Sequence, residues 1–150
     1  MLIVNNSDPH KSKSGYRLIA HSADLGFRLY GESLADIFVN AAHALYGVMT
    51  DRRKIRGLEC REVVVEAPDV GDLLVEWLNQ LLYLFDTTGF LGRDIEVQEI
   101  TSQRLQARLR GEPLDEERHQ LNTGIKAATY HNLEFKETAD GWQAKIILDI

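Results

Sequence analysis

From Leu34 to Met49 the apolar residues Leu34, Ile37, Phe38, Ala41, Ala42, Leu45, Val48 and Met49 recur at spacings of three and four, which puts them on one helical face. Ser33 opens that run with Asp36 three residues later, a pairing that satisfies free N–H groups at a helix start. A second stripe follows Pro68, with Asp69 as its N-cap: Val70, Leu73, Leu74, Trp77, Leu78, Leu81, Leu82 and Phe85. Val75, Tyr83 and Leu84 widen it until the helix is apolar nearly all round, the pattern of a buried element. Gly89 ends it. Its leucines and aromatics read as core rather than as a cofactor box.

Elsewhere the period shortens to two. Tyr16 to Ala20 and Gly26 to Tyr30 predict strands joined by the tight segment His21-Ser22-Ala23-Asp24. Leu58 to Ala67 predicts another. Ile95 to Ile100 and Arg104 to Arg110 predict a hairpin around Thr101-Ser102-Gln103. Ile125 to Thr129, Leu133 to Thr138 and Trp142 to Leu148 complete the set, with Asp140-Gly141 as a turn signal. Two helices among about seven strands, without βαβ alternation, predict a single α+β domain with a mainly antiparallel sheet. That domain spans residues 16–150, and residues 1–15 read as a flexible N-terminal extension.

The 150-residue length suits one domain with one core. No apolar run is long enough to span a membrane, and the first residues lack a signal-peptide pattern. One cysteine, Cys60, cannot form an internal disulfide, so a cytoplasmic protein is expected and Cys60 is read as structural. Seventeen basic against 23 acidic residues give a net charge of −6, so strong direct nucleic-acid binding is not expected. The local exception, Asp51-Arg52-Arg53-Lys54-Ile55-Arg56, reads as a solvated loop after a helix.

Phosphate loops, dinucleotide fingerprints, paired C-x-x-C, H-E-x-x-H and nucleophile elbows are all missing from the sequence. The five histidines form no tight pair: His43 reads as packing, and His10 and His119 as exposed. Two acidic positions remain, Asp24 in the first turn and Asp149 near the terminus. Taken singly, the first commonly hydrogen-bonds its own backbone and the second is commonly solvated. If the last strand lay beside the second, the two side chains and the carboxylate of Ile150 would gather three anionic groups. Such a group suits a hard divalent cation and would repel itself without one.

The stretch from Tyr16 to Phe27, with His21-Ser22-Ala23-Asp24-Leu25-Gly26, resembles the opening H-T-A-D-[IV]-G of the archease family. Leu73 to Asp86 is similar to that family's central helix, Gly124 to Glu134 to its V-K-A-x-T-Y-H segment, and Ile146 to Ile150 to its closing hydrophobic-D-I. Ser22 replaces the usual Thr, and Gln80 stands where Glu is common. The resemblance implies a non-catalytic activator of an RtcB-type RNA ligase. Such proteins promote the ligase's GTP-dependent guanylylation and repeated turnover in tRNA splicing and RNA repair. It implies a metal site of Asp24, Asp149 and Ile150, with calcium as the expected ion and magnesium or manganese as alternatives. His21, Lys126, Tyr130 and His131 are supporting candidates, each of which packing or strand-end capping also explains. A metal-dependent hydrolase using His21 or His131 as base, and a chaperone-like binding module, are the alternatives.

Overall fold

The computed structural model describes residues Leu2–Asn5, Gly15–Ala20 and 24–150. The elements run β1 (Leu2–Asn5), β2 (Gly15–Ala20), β3 (Asp24–Gly31), α1 (Leu34–Met49), β4 (Glu59–Glu66), α2 (Val70–Thr88), β5 (Phe90–Ile100), β6 (Arg104–Pro113), β7 (Ala127–Thr138) and β8 (Gly141–Asp149). One sheet has the order β1-β2-β3-β8-β7 and the other β4-β6-β5; every pairing is antiparallel. This is the expected α+β class.

Both helices start and stop where their side chains allow. The Ser33 hydroxyl accepts from the Asp36 N–H while the Asp36 carboxylate accepts from the Ser33 N–H, a reciprocal cap. Asp69 accepts from the Asp72 N–H, and Gly89 closes α2 in the left-handed conformation at φ 76°. The Trp77 indole is fully buried and donates to the Phe38 carbonyl at 2.9 Å, so the helices share a hydrogen bond as well as apolar surface. Tyr83, counted in the apolar stripe of α2, is instead 61% exposed.

Each helix touches both sheets, α1 against β3 and β5, and α2 against β7 and β4. One hydrophobic cluster therefore unites the domain. Phe38 on α1 meets Phe135 on β7 at 6.2 Å between ring centroids, and Phe135 meets Trp142 on β8 edge-on at 5.8 Å. Among the described residues, no helix is long and apolar enough to cross a membrane.

Four differences from the sequence pattern have identifiable causes. Leu2–Asn5, inside the segment read as an extension, forms a strand on the edge of β2, which a short Leu-Ile-Val run favours. The two strands expected at 125–138 are one, β7, interrupted by a bulge: Thr129 pairs with Ile147 and Glu134 with Lys145, so residues 130–133 stand opposite Ile146 alone. Phe90–Ile100 begins directly after Gly89, five residues earlier than the alternation shows, because Phe90, Leu91 and Gly92 are all buried. His119, expected on the surface, is 4% exposed.

That histidine belongs to a polar cluster that fastens the connection after β6. Its Nδ1 accepts from the Asp115 N–H at 2.9 Å, so Nε2 carries the proton and donates to Glu112 Oε2 at 3.0 Å. Glu112, also 4% exposed, accepts as well from the Arg56 N–H at 2.6 Å and from the Arg118 guanidinium. Further along, the N–H groups of Asn122 and Thr123 satisfy the carbonyls of Met49 and Val48 at the end of α1. Burial opposes ionisation of Glu112, but the bonds from Arg118, Arg56 and His119 outweigh it and hold its pKa at about 2. A carboxyl lowered on folding stabilises the fold above its unfolded pKa and loses that contribution as pH falls through the folded value. Stability should therefore drop between about pH 4.5 and about pH 2. Urea titrations across that range should show a shallower fall in Glu112→Gln, which should itself lose on the order of 3 kcal/mol at pH 7 by leaving buried donors short of a charged partner. An equally steep fall in the variant would place the acid sensitivity elsewhere.

Candidate functional site

Asp24 begins β3 and Asp149 ends β8, and the two residues face each other in the register. The strand pairing on which the acidic site depends is thus present. Leu25, Phe27 and Leu29 point into the core, as do Leu148, Ile146 and Ala144 on β8; period two then sends Asp24 and Asp149 to the opposite face. Asp24 is half-buried, and among the described residues its Oδ1, a buried carboxylate oxygen, has no hydrogen-bond partner. Such an oxygen is costly unless a proton, a donor or a cation meets it. Asp149 and Ile150 are exposed, Ile150 at 39%. Among the described residues, no three His, Cys, Asp or Glu side chains gather as a metal cluster. Any cation here would accordingly draw on two side-chain carboxylates and need further oxygen ligands, which hard divalent ions take from chain termini, backbone or water.

Lys126 lies just outside β7, is exposed, and donates its backbone N–H to the Asp149 carbonyl at 2.8 Å. That bond continues the β7–β8 ladder and fixes the end of β8. From below, the Asn79 side chain clamps the start of β7: its Oδ1 accepts from the Ala128 N–H at 2.8 Å and its Nδ2 donates to the Ala128 carbonyl at 3.2 Å. Thr129 Oγ1 donates to the Ile147 carbonyl at 2.8 Å.

Tyr130 and His131 ride on the bulge of β7, and both are exposed. Asn132 beside them adopts φ 51°, a left-handed conformation that asparagine tolerates. Its amide meets His131 Nε2 at 3.2 Å. The Tyr130 hydroxyl is held protonated by partial burial and then by the nearby carboxylates of Glu76, Asp72 and Asp69 at the start of α2. Tyr130 therefore leans toward the acidic beginning of α2. His21 and His10 lie outside the described residues. Gln80 is exposed on α2. The clamp by Asn79 escaped the sequence pattern, although a polar residue inside an otherwise apolar helix is a signal of that kind.

His43, Arg52–Lys54 and Cys60 lie on α1, directly after it and on β4. His43 is half-buried, and desolvation together with the charge of Arg52 lowers its pKa to about 4, so it packs as a neutral ring. Arg52–Lys54 forms a single 3-10 turn after α1, with Arg53 paired to Asp51 at 2.9 Å. Cys60 is exposed on β4.

Residues 16–150 match the archease protein family. The chain belongs to the archease family. Among its relatives, protein archease of Methanosarcina acetivorans is 40% identical over 139 residues, covering 90% of this chain and 95% of the relative. Protein archease of Pyrococcus abyssi is 40% identical over 134 residues, covering 87% and 94%. The solution structure of Methanobacterium thermoautotrophicum protein 1598 shares 32% identity, with a TM-score of 0.77 over 91% of this chain and 99% of that one. A Thermotoga maritima structure described as an archease, possible chaperone, has a TM-score of 0.65 at 22% identity over 88% and 94%, and speaks to the fold alone.

Replacing Asn79 with Ala should leave the buried amide groups of Ala128 unpaired and cost about 1–3 kcal/mol in chemical denaturation. It should also accelerate amide exchange at Ala128 and Lys126 relative to the centre of β3, because the end of β7 is what the clamp holds.

Proposed function

We propose that this archease family member is a non-catalytic activator of an RtcB-type RNA ligase. In this reading it promotes GTP-dependent guanylylation of the ligase and its repeated turnover. The ligase joins RNA ends bearing a 3′-phosphate or 2′,3′-cyclic phosphate to 5′-hydroxyl ends in tRNA splicing and RNA repair. Family membership supports the reading, and the register pairing of Asp24 with Asp149 carries it to particular residues.

The unpartnered Oδ1 of Asp24 fits a divalent cation, with Asp24, Asp149 and the Ile150 carboxylate as the residues that would hold it. Calcium is the expected occupant, and magnesium or manganese meets the same oxygen chemistry. When bound, the ion would supply positive charge for a phosphate or for a partner carboxylate. The chain's own part is to hold two carboxylates at one end of a rigid strand pair and to keep one oxygen of Asp24 out of water. Lys126 fixes the strand end through its backbone. Tyr130 and His131 lie exposed on the β7 bulge, and the Gln80 amide lies exposed on α2.

Single-turnover guanylylation of purified ligase, with and without the chain across GTP and metal concentrations, tests the proposal. Asp24→Ala and Asp149→Ala should each lower the stimulation by about tenfold or more while leaving the circular dichroism spectrum intact. Full stimulation by both variants would remove the acidic end from the activity.

A further inference from the structure

The outward face of the five-stranded sheet carries a row of cations that folding does not explain. Arg17 on β2 faces Arg28 on β3, and Arg28 faces Lys145 on β8. Three cations thus sit on neighbouring strands, with backbones about 5 Å apart. All point away from the core, since Phe27, Leu29, Ala144 and Ile146 between them point into it. Glu134 on β7 ends the row and pairs with Lys145 at 3.0 Å. One step further along the strands, Lys136 faces Gln143, which faces Tyr30. Arg28, Tyr30, Lys136, Gln143 and Lys145, with Glu134, line one small depression.

Like charges placed directly opposite each other weaken a sheet. Among the described residues, Glu134 is the carboxylate at this part of the face, and the hydrogen bond and charge of Lys145, then Arg28 and Lys136, hold its pKa low. Among the described residues, Arg17, Arg28 and Lys136 have no carboxylate within ion-pair distance, and Arg17 Nε is buried without a hydrogen-bond partner. The excess stands out in a chain of net charge −6. An external anion is what this row lacks.

We infer that the Arg17–Arg28–Lys145 row, with Lys136, is a docking surface for an acidic face of the protein partner. The inference rests on the ligase reading above and names the surface that orients the acidic end on that partner. Asp24 and Asp149 lie on the same face, four residues along β3 and β8 from Arg28 and Lys145, about 13 Å away. A nucleic acid tracking across this face would run from cations onto carboxylates. A protein surface can place an acidic patch against the row and a different sign beside it. The depression is too small to enclose a nucleotide, which needs a cleft that buries most of its surface.

Arg28→Glu separates docking from folding, because it puts a carboxylate between Arg17 and Lys145. Its Tm should equal or exceed that of the unaltered chain. Its affinity for purified ligase, measured by biolayer interferometry at about 0.1 M salt, should fall about tenfold or more, and the deficit should shrink as salt rises. At saturating concentration it should still stimulate guanylylation fully, whereas Asp24→Ala should fail even at saturation. Unchanged ligase affinity in the Arg28→Glu, Lys145→Glu double variant overturns the proposal. So does a row that binds single-stranded RNA, loses it in that variant, and leaves ligase affinity untouched. Ligase binding through the row without any stimulation would sink the activator reading alone. Stimulation whose affinity ignores the row would sink docking alone. A chain that does not bind the ligase at all would sink both.

Discussion

The pairing of β3 with β8 positions almost everything of consequence in this domain. It runs in unbroken register from Asp24 opposite Asp149 to Gly31 opposite Trp142. Its inner face supplies Leu25, Phe27 and Leu29 against Leu148, Ile146 and Ala144, all nearly or fully buried. Its outer face supplies the two aspartates at one end and Arg28 beside Lys145 further along. Side chains alternate across a strand, so a slip of one residue would exchange the two faces, burying charge and exposing leucine. The hydrophobic effect on the inner face therefore fixes the placement of the polar groups on the outer one, and they need no interaction of their own to stay there.

The helices convert that pairing into a rigid platform. Apolar packing of α1 holds β3, and Trp77 ties α2 to α1 through the Phe38 carbonyl. Asn79 then reaches from α2 to β7 and satisfies both backbone groups of Ala128, two residues from Lys126, whose own N–H donates to the Asp149 carbonyl. Beyond Thr129 the ladder breaks, and three more residues lie on β7 than on β8 before pairing resumes at Glu134. A bulge releases side chains that a regular strand would hold in alternation. Tyr130 and His131 owe their exposure to it. Platform and protrusion thus come from adjacent residues of one strand, the first clamped and the second unpaired.

The sequence was most informative where periodicity and capping agree. Both helices, with Ser33, Asp69 and Gly89 at their ends, follow from local rules that tertiary packing did not override. Strand existence was legible, but strand order was not, since alternation says which face is buried and nothing about which neighbour it meets. The site was legible as two separate acidic positions whose juxtaposition required that missing pairing; family resemblance supplied it before any geometry did. His119 was misjudged because it sits in a charged stretch, Asp115-Glu116-Glu117-Arg118, that looks solvated. The ion pairs and hydrogen bonds that bury it join residues more than fifty positions apart, Arg56 to Glu112 and Lys54 to His119. The bulge hid as a gap between two strands, because a polar interruption and a loop look alike in one dimension.

Two patches of opposite sign on one sheet face have a consequence that neither has alone. They lie about 13 Å apart along the strands, somewhat beyond the Debye length of about 8–10 Å at physiological salt. Exposed charges at that spacing are largely screened from one another, so each patch would act on the proposed partner nearly independently. A single charged patch draws a partner in but leaves it free to rotate. Two patches of opposite sign, carried on the same pair of strands, select one orientation and penalise its reverse by bringing like charges together. On the proposed activator reading, presenting two carboxylates to a particular place on another protein would need that selectivity more than tight binding. The β3–β8 register provides it by holding both patches at a fixed spacing.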